Sequence, residues 1–245
     1  MNYRPYLIEG ETRSGRWLVT CDHAAPTVPK AIANGDLGLP AEDMNRHISY
    51  DPGAAGTSRA LGDRLDAPVL LGNFSRLVID PNRGEDDPTL LMKLYDGTII
   101  PANRNADAAE RERRLALCHR PYHEAYARLA ARPATVILAI HSFTPQLRGR
   151  PPRPWQIGVL HAGDERLSRP MLDLLRSETD LTVGYNEPYT GFLPGDSIDR
   201  HALRHGRPNI LIELRNDLIA TKEQQQDWAD LLVPLLERVL AQAQL

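Results

Sequence analysis

The chain has 245 residues, of which 42% are hydrophobic and 25% are charged, and its formal net charge is -3. This balance is ordinary for a globular protein with one large domain or two small ones. Because the chain has no basic excess, we expect neither nucleic acid nor an anionic membrane surface as a partner.

The N-terminal stretch, MNYRPYLIEGETRSGRW, lacks the apolar core of a signal peptide, and no run of about 18 apolar residues follows it. The two cysteines, Cys21 and Cys118, do not have CxxC spacing. We expect both to be small core residues in a reducing compartment, and Cys21 as a nucleophile beside His23 is the weaker alternative. These features predict a cytoplasmic protein.

Short apolar runs alternate with helical stretches along the chain. Several runs are almost continuously apolar, as in strands covered on both faces, although a buried helix can imitate this pattern. The predicted strands are 17–22, 68–71, 76–80, 134–141, 156–161, 181–185 and 208–214, and the predicted helices are 53–65, 106–131, 165–178 and 222–243. This alternation predicts a single α/β domain over residues 1–245, with a mostly parallel or mixed central sheet.

Polar side chains stand where five of these predicted strands end. They are Asp22-His23, Asp80-Pro81-Asn82-Arg83, His141-Ser142, Asn186-Glu187-Pro188-Tyr189 and Glu213-Leu214-Arg215-Asn216-Asp217. One polar strand end can simply face water, but five with this composition are hard to explain in that way. Since ligands of open α/β sheets bind beyond the carboxyl ends of the strands, we expect all five to converge on one edge.

Two histidines from separate strands and a carboxylate are the usual ligands of a catalytic zinc ion. His23 and His141 are the predicted histidine ligands, and Glu213 is the candidate base that takes a proton from the attacking water. Asp51, at the start of the helix DPGAAGTSRALGDRL, is either the third ligand or only a helix N-cap. Asp22 is the other candidate, although its side chain should point away from that of its neighbour on the strand.

The other histidines give weaker signals. His119 and His123 have an i, i+4 spacing that can bind metal, but we expect a packing or surface role for them. His47 lies near Asp51 in the sequence and is a candidate to contact the site from outside the ligand set. The pattern assigns no role to His161, His201 and His205.

Six motifs in chain order resemble the N-formylglutamate amidohydrolase family. They are CDHAAPTVP, HISYDPGA, SRLVIDPNRG, IHSFTPQLRGRPPRPW, NEPYTG and IELRNDLI. The resemblance implies a zinc-dependent amidohydrolase with a three-layer, phosphorylase/hydrolase-like α/β/α fold, related to zinc carboxypeptidases and aspartoacylases. Relatives commonly carry the acidic ligand three residues after the first histidine, where this chain has Pro26, so the acid must come from elsewhere. Their Asn-Arg pair, which binds a substrate carboxylate, matches Asn82-Arg83.

The prediction is therefore one zinc ion on His23, Asp51 and His141, with Glu213 as general base. The candidate residues for binding a substrate carboxylate are Asn82, Arg83, Arg76, Arg215 and Tyr189. The predicted substrate is a small N-acylated acidic amino acid such as N-formyl-L-glutamate. A short acidic peptide or cell-wall fragment remains an alternative substrate, and a metal-free module that binds acidic small molecules is an alternative of another class. The oligomeric state and the native metal are left open.

Overall fold

The computed structural model describes residues 3–245. The strands are β1 (Tyr6–Glu9), β2 (Trp17–Cys21), β3 (Val69–Gly72), β4 (Leu94–Tyr95), β5 (Thr98–Ile99), β6 (Val136–Phe143), β7 (Ile157–Leu160), β8 (Val183–Tyr185) and β9 (Asn209–Arg215). Seven of them form one sheet in the order β1-β3-β2-β6-β9-β7-β8, and β4 and β5 form a separate hairpin.

The central sheet is mixed. Strands β3, β2, β6 and β9 run parallel to one another, whereas β1 is antiparallel to β3 at one edge. At the other side, β7 is antiparallel to β9 and parallel to β8. The predicted mostly parallel or mixed sheet is confirmed, and β1, β4 and β5 are strands that the sequence pattern did not predict.

Seven α-helices accompany the sheet in the described residues. They are α1 (Ala41–Met44), α2 (Ala54–Arg64), α3 (Ala108–Arg114), α4 (Arg120–Ala130), α5 (Ser168–Glu178), α6 (Ser197–His201) and α7 (Lys222–Gln242). A π-helical turn, Leu115–His119, joins α3 to α4, so the helix predicted over 106–131 is three consecutive helical segments. Helix α7 begins at a capping box, in which Thr221 and Gln224 each bind the backbone N–H of the other.

Apolar side chains cover both faces of the sheet, because successive residues of a strand point to opposite sides. Trp17 and Val19 of β2 belong to the cluster that includes helices α2, α5 and α7, and Leu18 belongs to the cluster under α4. The same alternation continues in β6 and β9. The predicted three-layer α/β/α arrangement is confirmed. Polar residues such as His141 and Glu213 lie towards the carboxyl ends of the central strands.

The strand predicted over 76–80 is wrong. Leu77, Val78 and Ile79 are fully buried, but they form a turn that packs in the cluster under α4. Side chains rather than a neighbouring strand satisfy its carbonyls: Arg114 donates to the Val78 oxygen at 2.8 Å, and Asn103 donates to the Leu77 oxygen at 2.8 Å. A short buried apolar run has the same composition in either case, so periodicity could not separate them.

Candidate metal and catalytic site

The candidate site lies where β2, β6 and β9 approach their carboxyl ends. His141 of β6 and Glu213 of β9 are direct neighbours in the register of two parallel strands. His23 follows β2, and Asp51 precedes α2. All four side chains line one cavity of about 260 Å³, and all four residues are buried.

His23, Asp51 and His141 form a buried group that is able to hold a metal ion. The Asp51 Oδ2 atom is 3.3 Å from His23 Nδ1 and 3.0 Å from His141 Nδ1. One potential ligand atom from each residue lies within 4.8 Å of the other two. Two imidazoles and one carboxylate are also the donor set that a catalytic metal site uses.

The far side of each imidazole faces a second carboxylate. His23 donates from Nε2 to Asp80 Oδ1 at 2.6 Å, and His141 Nε2 is 3.7 Å from Asp22 Oδ2. The hydroxyl of Tyr122 donates to the other oxygen of Asp22, so this carboxylate is held in place. Metal-binding histidines usually donate their second N–H to such a group, which fixes the tautomer and ring orientation. The surroundings of both rings therefore fit a metal ion at their Nδ1 atoms.

Asp51 does not act as a side-chain cap for α2. The N-cap of this helix is Gly53, without a side-chain cap bond. The Asp51 carboxylate instead accepts from the Ser142 N–H at 3.2 Å and lies 3.6 Å from Arg76 Nη1. Burial acts to raise the pKa of Asp51, but His23 and His141 more than offset it, so this pKa lies well below its usual range. Of the two acidic candidates, Asp51 faces both Nδ1 atoms and Asp22 faces an Nε2 atom.

Glu213 is the other titratable group at the centre of the cavity. It is 7% exposed, and its buried Oε2 atom has no hydrogen-bond partner among residues 3–245. Burial raises the pKa of Glu213 to about 7, although His141 acts in the opposite direction. A carboxyl group with this pKa is able to gain and lose a proton near neutral pH, as a general base must.

Asn82, Arg83 and Arg76 line one side of the cavity. Arg83 donates to Thr89 Oγ1 at 3.0 Å and to the Asn82 carbonyl at 2.7 Å, and it forms no salt bridge within residues 3–245. Arg76, in contrast, donates to Asp80 Oδ2 from two nitrogens, at 2.7 and 3.2 Å. Arg83 therefore keeps a positive charge that is free for a ligand, whereas Asp80 largely neutralises Arg76.

Tyr189 reaches the cavity by a different route from the predicted one. Strand β8 is parallel to β7, which is antiparallel to β9, so the carboxyl end of β8 points away from the site. The predicted convergence of five strand ends is therefore wrong for β8. The loop after β8 folds back across the sheet. It passes so close that a Cβ on Gly158 would lie 2.3 Å from the Glu187 carbonyl. This return places Tyr189 in the cavity wall.

Arg215 is not among the residues that line the cavity. Its Nε donates to Asp217 Oδ1 at 2.8 Å and its Nη1 donates to the Arg153 carbonyl at 3.5 Å, so the guanidinium lies beside the cavity rather than in its wall. Arg215 is two residues after Glu213 on β9, so the two residues share a face of the strand. The strand ends at Arg215, however, and its side chain turns towards the following loop.

Three further titratable residues of the cavity wall were not predicted to bind substrate. His47 and Tyr95 come from the segments around α1 and the β4–β5 hairpin, and Asp196 comes from the start of α6. Asp196 is 3% exposed and caps α6 by accepting from the Asp199 N–H at 2.7 Å. Burial raises the pKa of Asp196 to about 7. The motif GDSID carries the N-cap signal, but no local pattern shows that this cap faces a cavity.

The remaining histidines lie away from the cavity. His123 and His201 form a buried pair, with 2.8 Å between His123 Nδ1 and His201 Nε2. His123 Nε2 donates to the Pro81 carbonyl at 3.0 Å, so its Nδ1 accepts, and His201 must be the donor. His119 is also buried, and its Nε2 donates to the Arg83 carbonyl at 3.0 Å.

The mixed sheet, its two helical layers and a buried His-Asp-His group at the strand ends define an α/β protein with a candidate hydrolytic metal site. Residues 15–220 match the sequence profile described as N-formylglutamate amidohydrolase. The match covers most of the chain, and the protein belongs to this family of amidohydrolases, as the sequence motifs predicted.

Two solved structures place the fold among known proteins. A gene product of Agrobacterium tumefaciens is 34% identical, with a TM-score of 0.93 over 99% of this chain and 97% of that one. An N-formylglutamate amidohydrolase from Ralstonia eutropha is 21% identical, with a TM-score of 0.61 over 97% of this chain and 98% of that one. The second likeness concerns the fold alone. No curated protein sequence matches the chain significantly.

Within residues 3–245, no helix combines the length and the apolar character that crossing a bilayer demands. The longest helix, α7, carries charged residues along its length.

Proposed function

We propose that this protein, as a single domain over residues 1–245, hydrolyses the amide of a small N-acylated acidic amino acid such as N-formyl-L-glutamate. The observation that carries the proposal is the Asp51 carboxylate between the Nδ1 atoms of His23 and His141, at 3.3 and 3.0 Å, in a family of amidohydrolases. We propose zinc as the metal, with one ion per chain, because two histidines and one carboxylate are its usual catalytic ligands.

A metal ion held by these three residues would act as a Lewis acid, able to polarise the carbonyl of the substrate amide and to lower the pKa of the attacking water. The protein's own residues carry the rest of the reaction. Glu213 accepts the proton of the attacking water and passes it to the nitrogen of the leaving amine, so formate and a free amino acid are released. Its buried Oε2 has no hydrogen-bond partner within residues 3–245, so this oxygen is free to take the proton and return it.

Arg83 and Asn82 hold a substrate carboxylate next to the scissile amide. The Arg83 guanidinium carries no salt bridge in residues 3–245 and lines the cavity. Its planar fork matches the two oxygens of a carboxylate in parallel, charge-assisted hydrogen bonds. Arg76 is more deeply buried and donates to Asp80. Its Nη1 atom lies 3.6 Å from Asp51 Oδ1 in the candidate metal group. Arg215 has no part in this proposal, because it lies outside the cavity.

The test combines metal analysis of the purified protein with a substrate screen. The expected result is about one zinc ion per chain, together with release of formate from N-formyl-L-glutamate. Substitution of both His23 and His141 by Ala should abolish metal binding and turnover together. Stoichiometric metal in that double variant would refute the assignment of the ligands. Absence of metal from the wild type would instead favour a binding module for acidic small molecules.

One observation favours a second candidate, a short acidic peptide or a cell-wall fragment as substrate. An open groove of about 820 Å³ continues outward from the cavity, and His47 and Thr144 line both. A longer chain has room there beyond the metal group. A screen that includes acidic dipeptides and N-acyl peptides separates the two candidates, because faster cleavage of the longer compounds would move the proposal to them.

A further inference from the structure

Arg153, in the loop before β7, carries a guanidinium that pairs with no carboxylate of residues 3–245. Both of its side-chain hydrogen bonds come from Nη1, which donates to the Thr144 carbonyl at 3.1 Å and to the Tyr189 hydroxyl at 3.1 Å. Its Nε and Nη2 groups have no hydrogen-bond acceptor in the described part of the chain. Arg153 is partly exposed, and neither group is among the buried polar atoms that lack a partner, so both remain open to an anionic ligand.

The guanidinium packs directly behind the outer wall of the cavity. Its central carbon is 4.9 Å from the centre of the Tyr189 ring and 5.7 Å from that of Phe143. Phe143, Thr144 and Tyr189 all line the cavity, and Arg153 contacts each of them. Its charge therefore acts on the cavity at close range, and its position fixes the loop that carries Tyr189.

The hydrogen bond from Arg153 also determines what the Tyr189 hydroxyl is able to do. This oxygen accepts from Arg153, so its own proton is available for donation, and no acceptor for it lies within residues 3–245. A tyrosine hydroxyl keeps its proton at neutral pH in any case, and partial burial raises the pKa of Tyr189 further, to about 12. The wall thus presents an O–H donor, with a positive charge behind it.

Arg153 and Arg83 come to the cavity from different segments of the chain. Arg83 belongs to the segment that follows β3, and Arg153 belongs to the segment that precedes β7. In the sheet, β2, β6 and β9 lie between these two strands, and they carry or precede His23, His141 and Glu213. The cavity therefore has two arginines without carboxylate partners, Arg83 in its wall and Arg153 behind Tyr189, which suits a ligand with two separate carboxylates.

We propose that Arg153 is a specificity-determining residue, which acts through Tyr189 to select substrates with an acidic side chain. It positions the Tyr189 hydroxyl as a donor to the side-chain carboxylate and supplies the opposite charge behind it. Arg83 binds the other carboxylate. This inference rests on the proposed function, since it describes how the same cavity distinguishes an acidic from a neutral N-acyl amino acid.

The test is the ratio of kcat/KM for N-formyl-L-glutamate to that for N-formyl-L-glutamine, which differs from it by one charged group. Arg153→Gln should lower this ratio about 10- to 100-fold, as expected for loss of a hydrogen bond supported by charge. The change should appear mainly as a higher KM for the glutamate compound. Arg150→Gln is the matched control, because Arg150 is an exposed arginine of the same loop and donates no side-chain hydrogen bond to residues 3–245. It should keep the wild-type ratio.

A folded Arg153→Gln protein that keeps the wild-type ratio would overturn the inference. If this variant does not fold, Tyr189→Phe decides by the same criterion, since it retains the ring that packs on Arg153 and removes only the hydroxyl. Tyr189→Phe is expected to lower the ratio about 10-fold.

Calorimetry with glutarate and its monoamide separates this inference from the proposed function. Wild type should bind the dicarboxylate more tightly, and Arg153→Gln should bind the two compounds alike. If wild type cleaves neither formyl compound but shows this dependence on Arg153, the proposed function fails and the subsite stands. If wild type binds both compounds equally, the subsite is refuted whatever the enzyme cleaves.

Discussion

The His23 imidazole donates from Nε2 to the Asp80 carboxylate at 2.6 Å, while its Nδ1 lies 3.3 Å from Asp51. The His23 ring thus lies between Asp51, which belongs to the candidate metal group, and Asp80, which lies behind the ring. Asp80 also binds Arg76 through its other oxygen, at 2.7 Å. Asp80, which is outside the candidate ligand set, therefore couples a candidate metal-binding histidine to a buried arginine of the cavity wall.

Asp80→Asn should lower metal affinity about 10- to 100-fold, which is typical when the partner behind a metal-binding histidine is altered. The amide oxygen still accepts from His23, but the negative charge that favours this tautomer is lost. The measurement is competition with a chelator of known affinity. Asp217→Asn is the control, because Asp217 pairs with Arg215 outside the cavity. Equal affinity in Asp80→Asn and wild type would contradict a functional role for this contact.

Asp51→Asn should reduce metal affinity more than Asp80→Asn does, since it alters the proposed carboxylate ligand itself. An amide is a much poorer donor to zinc than a carboxylate is. The stability of α2 should change little, because Gly53 rather than Asp51 is its N-cap. Metal content after dialysis, together with the far-ultraviolet circular dichroism spectrum, measures both effects. Full metal occupancy in this variant would transfer the ligand role to Asp22.

Glu213→Gln should retain metal and substrate binding but lower kcat by at least about 10²-fold, as expected when a general base is removed. Gln has the size of Glu but is unable to take the proton. Formate release gives kcat, and metal analysis of the same sample confirms that the site is loaded. An unchanged kcat in a loaded variant would leave the reaction without its proposed base.

Arg83→Lys should remove most of the preference for a free substrate carboxylate. Loss of the fork leaves the buried anion poorly paired, at a cost of roughly 2–5 kcal/mol in binding, and lysine is unable to restore the two parallel bonds. The measurement compares an N-formyl amino acid with its carboxamide analogue in both proteins. Arg150→Lys is the matched control, since Arg150 is exposed, donates no side-chain hydrogen bond within residues 3–245 and should leave the preference unchanged. Identical treatment of both compounds by wild type would refute the carboxylate clamp.

The buried pair of His123 and His201 should make the protein less stable in acid. Burial lowers the pKa of His201 to about 3 and lowers that of His123 well below its usual range. In the unfolded chain a histidine titrates near pH ~6.5. The unfolded state therefore binds more protons as the pH falls below that value, and the free energy of unfolding decreases down to the folded pKa.

His201→Asn removes one of these groups, so it should be less stable than wild type at pH 8 and relatively less affected by acid. The difference between the two free energies of unfolding should shrink by about 2 kcal/mol between pH 8 and pH 5. Urea unfolding at several pH values measures this difference, and His205→Asn, at an exposed histidine, is the control. A difference that does not change with pH would contradict a neutral His201 in the folded protein.

The sequence by itself determined the sheet of alternating strands and helices, because continuous apolar runs and 3.6-residue periodicity are local signals. It also identified His23, His141 and Glu213 as members of one site, since each stands at or after an apolar strand. Neighbouring strand ends must meet once the strands are parallel. The family followed from motifs spread over the chain, and residues 15–220 bear it out.

Only the tertiary structure decided how the rest of the chain meets that edge. The run 76–80 is a buried turn, because Arg114 and Asn103, distant in sequence, satisfy its carbonyls. The direction of β8 depends on pairing with β7, so its loop reaches the cavity by folding back. Asp51 faces two imidazoles that are 28 and 90 positions away in the sequence. Arg153 stands behind Tyr189, which is 36 positions away. Local patterns carry no information about such contacts, which arise when separate elements pack together.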